Sequence, residues 1–230
     1  MGAQDVAKRA AAEAAIRFVE SEIIIGVGTG STVAHFVDAL ASAAARPARA
    51  VSTSDDTDAR LRRLGIEVVR LEAAPLPLGV YVDGADEIDP QGRAIKGGGG
   101  AHTREKAVAR ASRVWVCIVD ASKFVSELGS RSPVPLEIET NQLHAAQQAI
   151  EGMGAHLTVR EHTRQRGSTL IADVHGLDLQ HPLEVERRLE SIDGVVACGI
   201  FAQRRADLVL VGHPDGTVTE VDPGRERGAE

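Results

Sequence analysis

The stretch Ile23-Ile24-Ile25-Gly26-Val27-Gly28-Thr29-Gly30-Ser31-Thr32 decides the fold class. Three β-branched residues predict a short buried strand, the alternating glycines a tight turn, and the pattern over residues 32–45 a helix. Glycines let backbone N–H groups approach an anion. The helix start behind them offers unpaired donors and the positive end of a dipole. Ser31 and Thr32 add hydroxyls, so Thr29, Gly30, Ser31 and Thr32 together form a phosphate cradle. No Gly-Lys-Ser/Thr follows, so this is not a P-loop, and Ser31 stands where a dinucleotide fingerprint places its third glycine. The plainer alternative is a turn that only packs the helix tightly.

Outward from this turn the same alternation continues. Residues 6–20 predict a helix with Ala12, Ala15, Ile16 and Val19 on one face. Strands are expected at 49–52, 66–71, 79–82 and 114–119, and helices at 55–64, closed by Gly65, and 103–110. Unalternated apolar strands between helices indicate a parallel sheet covered on both faces. After Pro133 the order becomes strand (133–139), helix (142–151), two strands joined by a polar turn (156–160, 169–174), helix (182–191) and strand (195–201). That β-α-β-β-α-β order fits a ferredoxin-like unit, and a strand at 207–211 returns to the first sheet. The expected class is α/β: a doubly wound, mostly parallel sheet with an inserted smaller α+β domain. Residues 1–130 and 203–222 form the Rossmann-like catalytic part, 131–202 the ferredoxin-like part, and 223–230 a frayed charged tail.

The chain has 230 residues, enough to bury a core without disulfides or metals. Its 26 basic and 33 acidic residues leave a formal net charge of −7, which argues against a general nucleic-acid or membrane-surface binder. No apolar run approaches the roughly 20 residues of a membrane helix, and charges interrupt the Ala-rich N-terminus, so no secretory signal is read there. Cys117 and Cys198 sit in apolar runs and read as buried thiols of a reducing compartment, the cytoplasm. The only lysines are Lys8, Lys96, Lys106 and Lys123. In a chain so rich in arginine, a retained lysine suggests a site for a compact ammonium.

Three further motifs fall at one predicted sheet edge. Asp83-Gly84-Ala85-Asp86-Glu87 ends a strand, and its three carboxylates call for a compensating cation or a ligand hydroxyl. No His-x-x-x-His or Asp-x-Asp pairing accompanies them, so a metal is the weaker reading. Lys96-Gly97-Gly98-Gly99-Gly100 loses much backbone entropy on ordering, which suits a loop that wraps a ligand. Glu105 follows in the first turn of the next helix, and Lys123 follows strand 114–119. A phosphate cradle, aspartates, ammonium groups and one glutamate at a common edge suit proton transfer beside the carbonyl of a phosphorylated sugar.

Gly26-Val-Gly-Thr-Gly-Ser-Thr32, Tyr81-Val-Asp-Gly-Ala-Asp-Glu-Ile88, Lys96-Gly-Gly-Gly99, Thr103-Arg-Glu-Lys106 and Asp120-Ala-Ser-Lys123, in this order, resemble the type A ribose-5-phosphate isomerases. The likeness runs from Lys8 to about Thr219. It implies interconversion of ribose 5-phosphate and ribulose 5-phosphate through an enediol, in the non-oxidative pentose phosphate branch, without metal or organic cofactor. It implies Glu105 as the base between C1 and C2, Asp83 in ring opening, and Asp86 and Lys96 on the reacting oxygens. Thr29 to Thr32 would hold the phosphate, with Lys8 and Lys123 nearby; Gly84, Ala85, Gly97, Gly98 and Gly99 would line the site. Lys106 receives no role. A homodimer or higher homo-oligomer is implied, with no nucleic-acid or membrane partner. The rival readings are an amino-sugar-phosphate deaminase or coenzyme A transferase on a related fold, a sugar-phosphate sensor, and a nicotinamide enzyme using Asp55 or Asp56.

Overall fold

The computed structural model describes residues 2–21, 23–161 and 167–224. In chain order the first elements are α1 (Ala3–Ala15), β1 (Ile24–Val27), α2 (Ser31–Leu40), β2 (Arg49–Ser52), α3 (Asp55–Arg63), β3 (Glu67–Val68) and β4 (Leu78–Asp83). Two short strands, β5 (Glu87–Ile88) and β6 (Ala94–Ile95), precede α4 (His102–Arg110) and β7 (Ser112–Asp120). Then come β8 (Val134–Glu139), α5 (Leu143–Glu151), β9 (His156–Val159), β10 (Thr169–His175), α6 (Pro182–Glu190) and β11 (Val195–Cys198). The chain closes with β12 (Ile200–Phe201), β13 (Leu208–Gly212) and β14 (Val218–Val221).

The main sheet has seven strands in the order β14-β13-β7-β4-β1-β2-β3. All its pairings are parallel except β13 with β14. Alternate residues of its central strands serve two cores. Val80, Val82, Val116 and Ile118 pack toward the cluster that holds the buried faces of α1, α2 and α3. Tyr81, Trp115, Cys117 and Val119 pack on the other side with Val108 and Ala109 of α4 and Phe201 of β12. Strand order reverses between β1 and β4. Their carboxyl ends therefore open a crevice, the usual ligand position of a doubly wound sheet.

The second sheet is antiparallel, in the order β11-β8-β10-β9. With α5 and α6 supplying Ala146, Ile150 and Leu189 to its core, this is the ferredoxin-like arrangement. No described helix is long and apolar enough to cross a membrane.

Several expectations are corrected. The strand over 195–201 splits at Gly199 between two sheets: β11 pairs with β8, while β12 pairs with β6 in a small sheet of order β12-β6-β5. Gly199 is held at the crossing, its N–H on the Pro135 carbonyl (2.7 Å) and its carbonyl on the Lys96 N–H (2.8 Å). The helix expected to reach residue 45 ends at Leu40, the last residue whose side chain is buried; alanine propensity alone does not extend it without packing. The strand at 66–71 shrinks to Glu67–Val68 at the sheet edge, and β14 was not expected at all. The first helix begins earlier, at Ala3, and its last turn tightens to 3-10 geometry over Ile16–Phe18. Most of the expected polar turn after β9, and residues 225–230 of the expected frayed tail, lie outside the described residues.

Candidate active site

A cavity of about 290 Å³ opens at the crevice between β1 and β4. The turn after β1 forms one wall. There the chain passes so close to β4 that a Cβ on Gly28 would lie 1.8 Å from Asp83 Oδ1, so only glycine fits. Gly30 is the N-cap of α2, with no side-chain cap and no acidic residue in the first turn. The helix start therefore keeps its positive end open toward the cavity, where Thr29, Gly30, Ser31 and Thr32 all line the wall. Lys8 of α1 donates to Ser31 Oγ (3.0 Å). Lys123 enters from the 3-10 turn after β7, and both lysines line the cavity.

The three carboxylates after β4 have separate partners. Asp83 is fully buried. Its Oδ1 accepts from the backbone N–H groups of Thr29 (3.1 Å) and Gly84 (2.7 Å), and its Oδ2 accepts from Lys96 Nζ (2.8 Å) and the Tyr81 hydroxyl. It lies behind the cavity wall, while Gly84, Ala85 and Asp86 line it. Asp86 Oδ2 accepts from the Gly98 N–H (2.7 Å). Glu87 faces away. It accepts from the backbone N–H groups of Gly129 (2.6 Å), Arg131 (2.6 Å) and Ser132 (2.5 Å).

Lys96 and Glu105 meet at the other end. Lys96 Nζ lies 3.3 Å from Glu105 Oε2 and donates to the Gly84 carbonyl (2.5 Å). Its ammonium lies 6.0 Å from the Trp115 ring centroid and 5.7 Å from that of Phe201. Burial works against its charge, yet the Asp83 and Glu105 carboxylates outweigh burial and hold its pKa above the ordinary value. Glu105 is 3% exposed, and the Lys96 ammonium is the polar neighbour of its Oε2. Burial, reinforced by the Asp83 and Asp86 charges and opposed by Lys96, raises its pKa to about 8. Gly97, Gly98 and Gly99 close the wall beside it. The arrangement joins a buried carboxylate of raised pKa and its paired ammonium to an anion cradle in one cavity.

The residues of the rival readings lie elsewhere. Asp55 pairs with Arg104 (3.6 Å) and lines a second groove. Among the described residues, the one grouping of possible metal ligands is Glu186, Glu190 and Cys198. The Lys106 ammonium already fills it, at 2.6 Å from Glu186, 2.8 Å from Glu190 and 3.6 Å from Cys198 Sγ. Lys106, unassigned from sequence, is thus a buried tie between α4 and α6. Both cysteines are buried and free, and burial pushes the thiols up to about 12 for Cys117 and about 11 for Cys198.

The profile of the ribose 5-phosphate isomerase A (phosphoriboisomerase A) family matches residues 49–216. Ribose-5-phosphate isomerase A of Xylella fastidiosa strain 9a5c is 47% identical over 208 residues, covering 90% of this chain and 95% of the relative. The chain belongs to the ribose 5-phosphate isomerase A family. The enzyme of that name from Stenotrophomonas maltophilia is 48% identical over 207 residues, covering 90% and 95% of the two chains. The crystal structure of ribose 5-phosphate isomerase A from Neisseria gonorrhoeae superposes with a TM-score of 0.91 at 41% identity, covering 96% of this chain and 97% of that one. A D-ribose-5-phosphate isomerase in complex with phospho-erythronic acid superposes at 0.87 with 31% identity, covering 94% and 97%.

As a ribose 5-phosphate isomerase A family chain, this one adds three residues to the cavity wall that sequence reasoning missed: Gln4, Val119 and Asp120. Asp120 ends β7 and accepts from the Ser122 N–H (3.0 Å) and hydroxyl (2.5 Å), fixing the turn that carries Lys123. Its signal was present in the Asp-Ala-Ser-Lys motif, where the lysine drew attention instead. Gln4, which reaches Asp120 Oδ2 at 3.4 Å, precedes the expected helix and carried no signal.

Proposed function

We infer that the protein interconverts D-ribose 5-phosphate and D-ribulose 5-phosphate through an enediol, in the non-oxidative pentose phosphate branch. The observation that carries this reading is Glu105: a buried carboxylate paired with the Lys96 ammonium at 3.3 Å, in the same cavity as the open start of α2. The phosphate is read at Thr29, Gly30, Ser31 and Thr32 with Lys8 and Lys123, so that remote binding energy orients the reacting carbons. Opening the sugar ring moves a proton from the anomeric hydroxyl to the ring oxygen. The Asp83–Lys96 pair is assigned to that step, with Asp83 acting through Lys96.

In the open aldose, the Glu105 carboxylate takes the C2 proton. The electron pair moves into the C1–C2 bond, and negative charge gathers on O1, where Lys96 and backbone N–H groups of the glycine loop stabilise it. Glu105, now a carboxylic acid, returns the proton to C1. The O2 proton passes to O1, with Asp86 as the acceptor and donor beside these oxygens, and the ketose forms. Gly84, Ala85, Gly97, Gly98 and Gly99 are read as walls of this site. A base whose pKa lies near neutrality suits the exchange, since both its forms are accessible at working pH.

The division into a catalytic part (1–130 and 203–222) and an inserted part (131–202) belongs to the same reading. The free buried thiols support a reducing compartment, read as the cytoplasm. A second copy of the chain is the expected partner, and sedimentation at working concentration checks it. The deciding assay is ribose 5-phosphate conversion followed by ketose absorbance with a chelator present. Turnover unaffected by chelator is expected; no ketose from folded protein overturns the reading.

A further inference from the structure

The glycine loop is gripped from the inserted part of the chain. Arg160 follows β9, and its N–H continues the ladder to the Ile171 carbonyl (3.0 Å). Its guanidinium forks onto Asp173 of β10, Nε to Oδ2 at 2.7 Å and Nη2 to Oδ1 at 2.6 Å. The remaining corner, Nη1, donates to the carbonyls of Gly97 (2.9 Å) and Gly98 (3.0 Å). Both side chains are more than four-fifths buried, with exposures of 17% and 18%. Gly97 itself adopts φ +108°, and a Cβ there would lie 2.7 Å from His102 Nδ1, so the loop enters the clamp in a shape that requires glycine.

A trans peptide points its carbonyl and its N–H in opposite directions. The Gly97–Gly98 peptide is therefore held from both sides, its carbonyl by Arg160 and its N–H by Asp86 (2.7 Å). The next peptide is held on one side only. The Gly98 carbonyl meets Arg160, while the Gly99 N–H meets no acceptor among the described residues, and Gly99 lines the cavity. We propose that Arg160 and Asp173 are positioning residues that aim the Gly99 N–H at the enediolate oxygen. The proposal rests on the isomerase reading above. The guanidinium fixes the direction of the donor and, by polarising its carbonyl, strengthens it. Only an arginine can hold two carboxylate oxygens and two carbonyls at once. Asp173 holds the fork in place and acts only through Arg160.

Arg160→Met, Arg160→Lys and Asp173→Asn are compared with the unaltered protein in kcat, in KM, and in binding of phospho-erythronic acid and of inorganic phosphate. The acid carries a planar pair of oxygens beside the reacting position, whereas inorganic phosphate reports the cradle alone. Arg160→Met is expected to lower kcat about 10–100-fold with KM changed less than about threefold, as for loss of an oriented oxyanion donor. Binding of phospho-erythronic acid should weaken about tenfold while that of phosphate stays unchanged. Arg160→Lys should recover part of kcat, and Asp173→Asn should have no further effect in the Arg160→Met background. The positioning role is overturned by an unchanged kcat in Arg160→Met, by equal losses for acid and phosphate, or by a full additional effect of Asp173→Asn. Should Arg160→Met fail to fold, Arg160→Lys and Asp173→Asn decide by the same split between kcat and KM. Absence of turnover in the unaltered protein overturns the isomerase reading; normal turnover with an indifferent Arg160 overturns only the aiming.

Discussion

The burial that raises the Glu105 pKa also sets a pH dependence of stability. Burial raises its pKa from 4.5 to about 8, so the folded protein binds the proton more tightly than the unfolded chain does. That contribution to stability is complete below the ordinary value and is lost as pH rises through about 8. Glu105→Gln should lower kcat about 10²–10⁴-fold with little change in KM. Its melting temperature should exceed that of the unaltered protein by a margin that grows between pH 5 and pH 9, the window set by those two values; a margin independent of pH in thermal scans speaks against the buried-base account. At the far end of the cavity, Lys123→Ala should raise KM about tenfold and spare kcat, since a charged hydrogen bond to an anchoring group is lost; steady-state kinetics reads this directly. At this scale the sequence was informative because scarce residue types stood out: four lysines among 26 basic residues. What it hid was orientation. Asp83, Asp86 and Glu87 are near neighbours in the chain, yet one lies behind the cavity, one lines it and one faces the chain after β7.

At the level of elements, α4 is fixed twice. Its first turn presents Glu105 to the cavity, and one residue later Lys106 points into the packing against α6. There Lys106 donates to Glu186, Glu190 and the Ile200 carbonyl (2.7 Å). Glu186 also accepts from the N–H groups of Ala202 (2.8 Å) and Gln203 (2.7 Å). Lys106→Met leaves a buried carboxylate without its cation, and about 3–5 kcal/mol of stability should be lost. Adding Glu186→Leu should return part of it, and urea unfolding of both variants tests the order. The long elements were legible, since β4, β7 and α6 carry continuous or periodic apolar residues. The small sheet was not. Strands of two residues such as β5, β6 and β12 have no period to read, and β14, with no buried residue and two exposed ones side by side at a sheet edge, resembles a polar loop.

Across the whole molecule, the reversal of strand order between β1 and β4 locates the cavity, and the two ends of the cavity are tied together away from the ligand. Glu87 connects them. It belongs to β5, which pairs with β6 just before Lys96, and it anchors residues 129–132 of the connection that carries Lys123. Glu87→Ala removes the common acceptor of three part-buried backbone N–H groups, which water only partly replaces. That variant should show faster proteolysis within the connection between β7 and β8 and a raised KM; an unchanged digestion pattern would count against the anchor. Doubly wound topology was readable from strand and helix order alone. The cross-ties were not, because each joins residues that periodicity treats as unrelated.

Every residue lining the cavity falls between Gln4 and Lys123. Among the described residues, none after Lys123 lines it, yet later ones steady its walls through Gly199 and Arg160. During synthesis the cavity-lining residues therefore leave the ribosome before β8 to β14, which steady them, have been made. Drift in the later-made residues can therefore retune how firmly the cavity walls are held while leaving the lining residues the same.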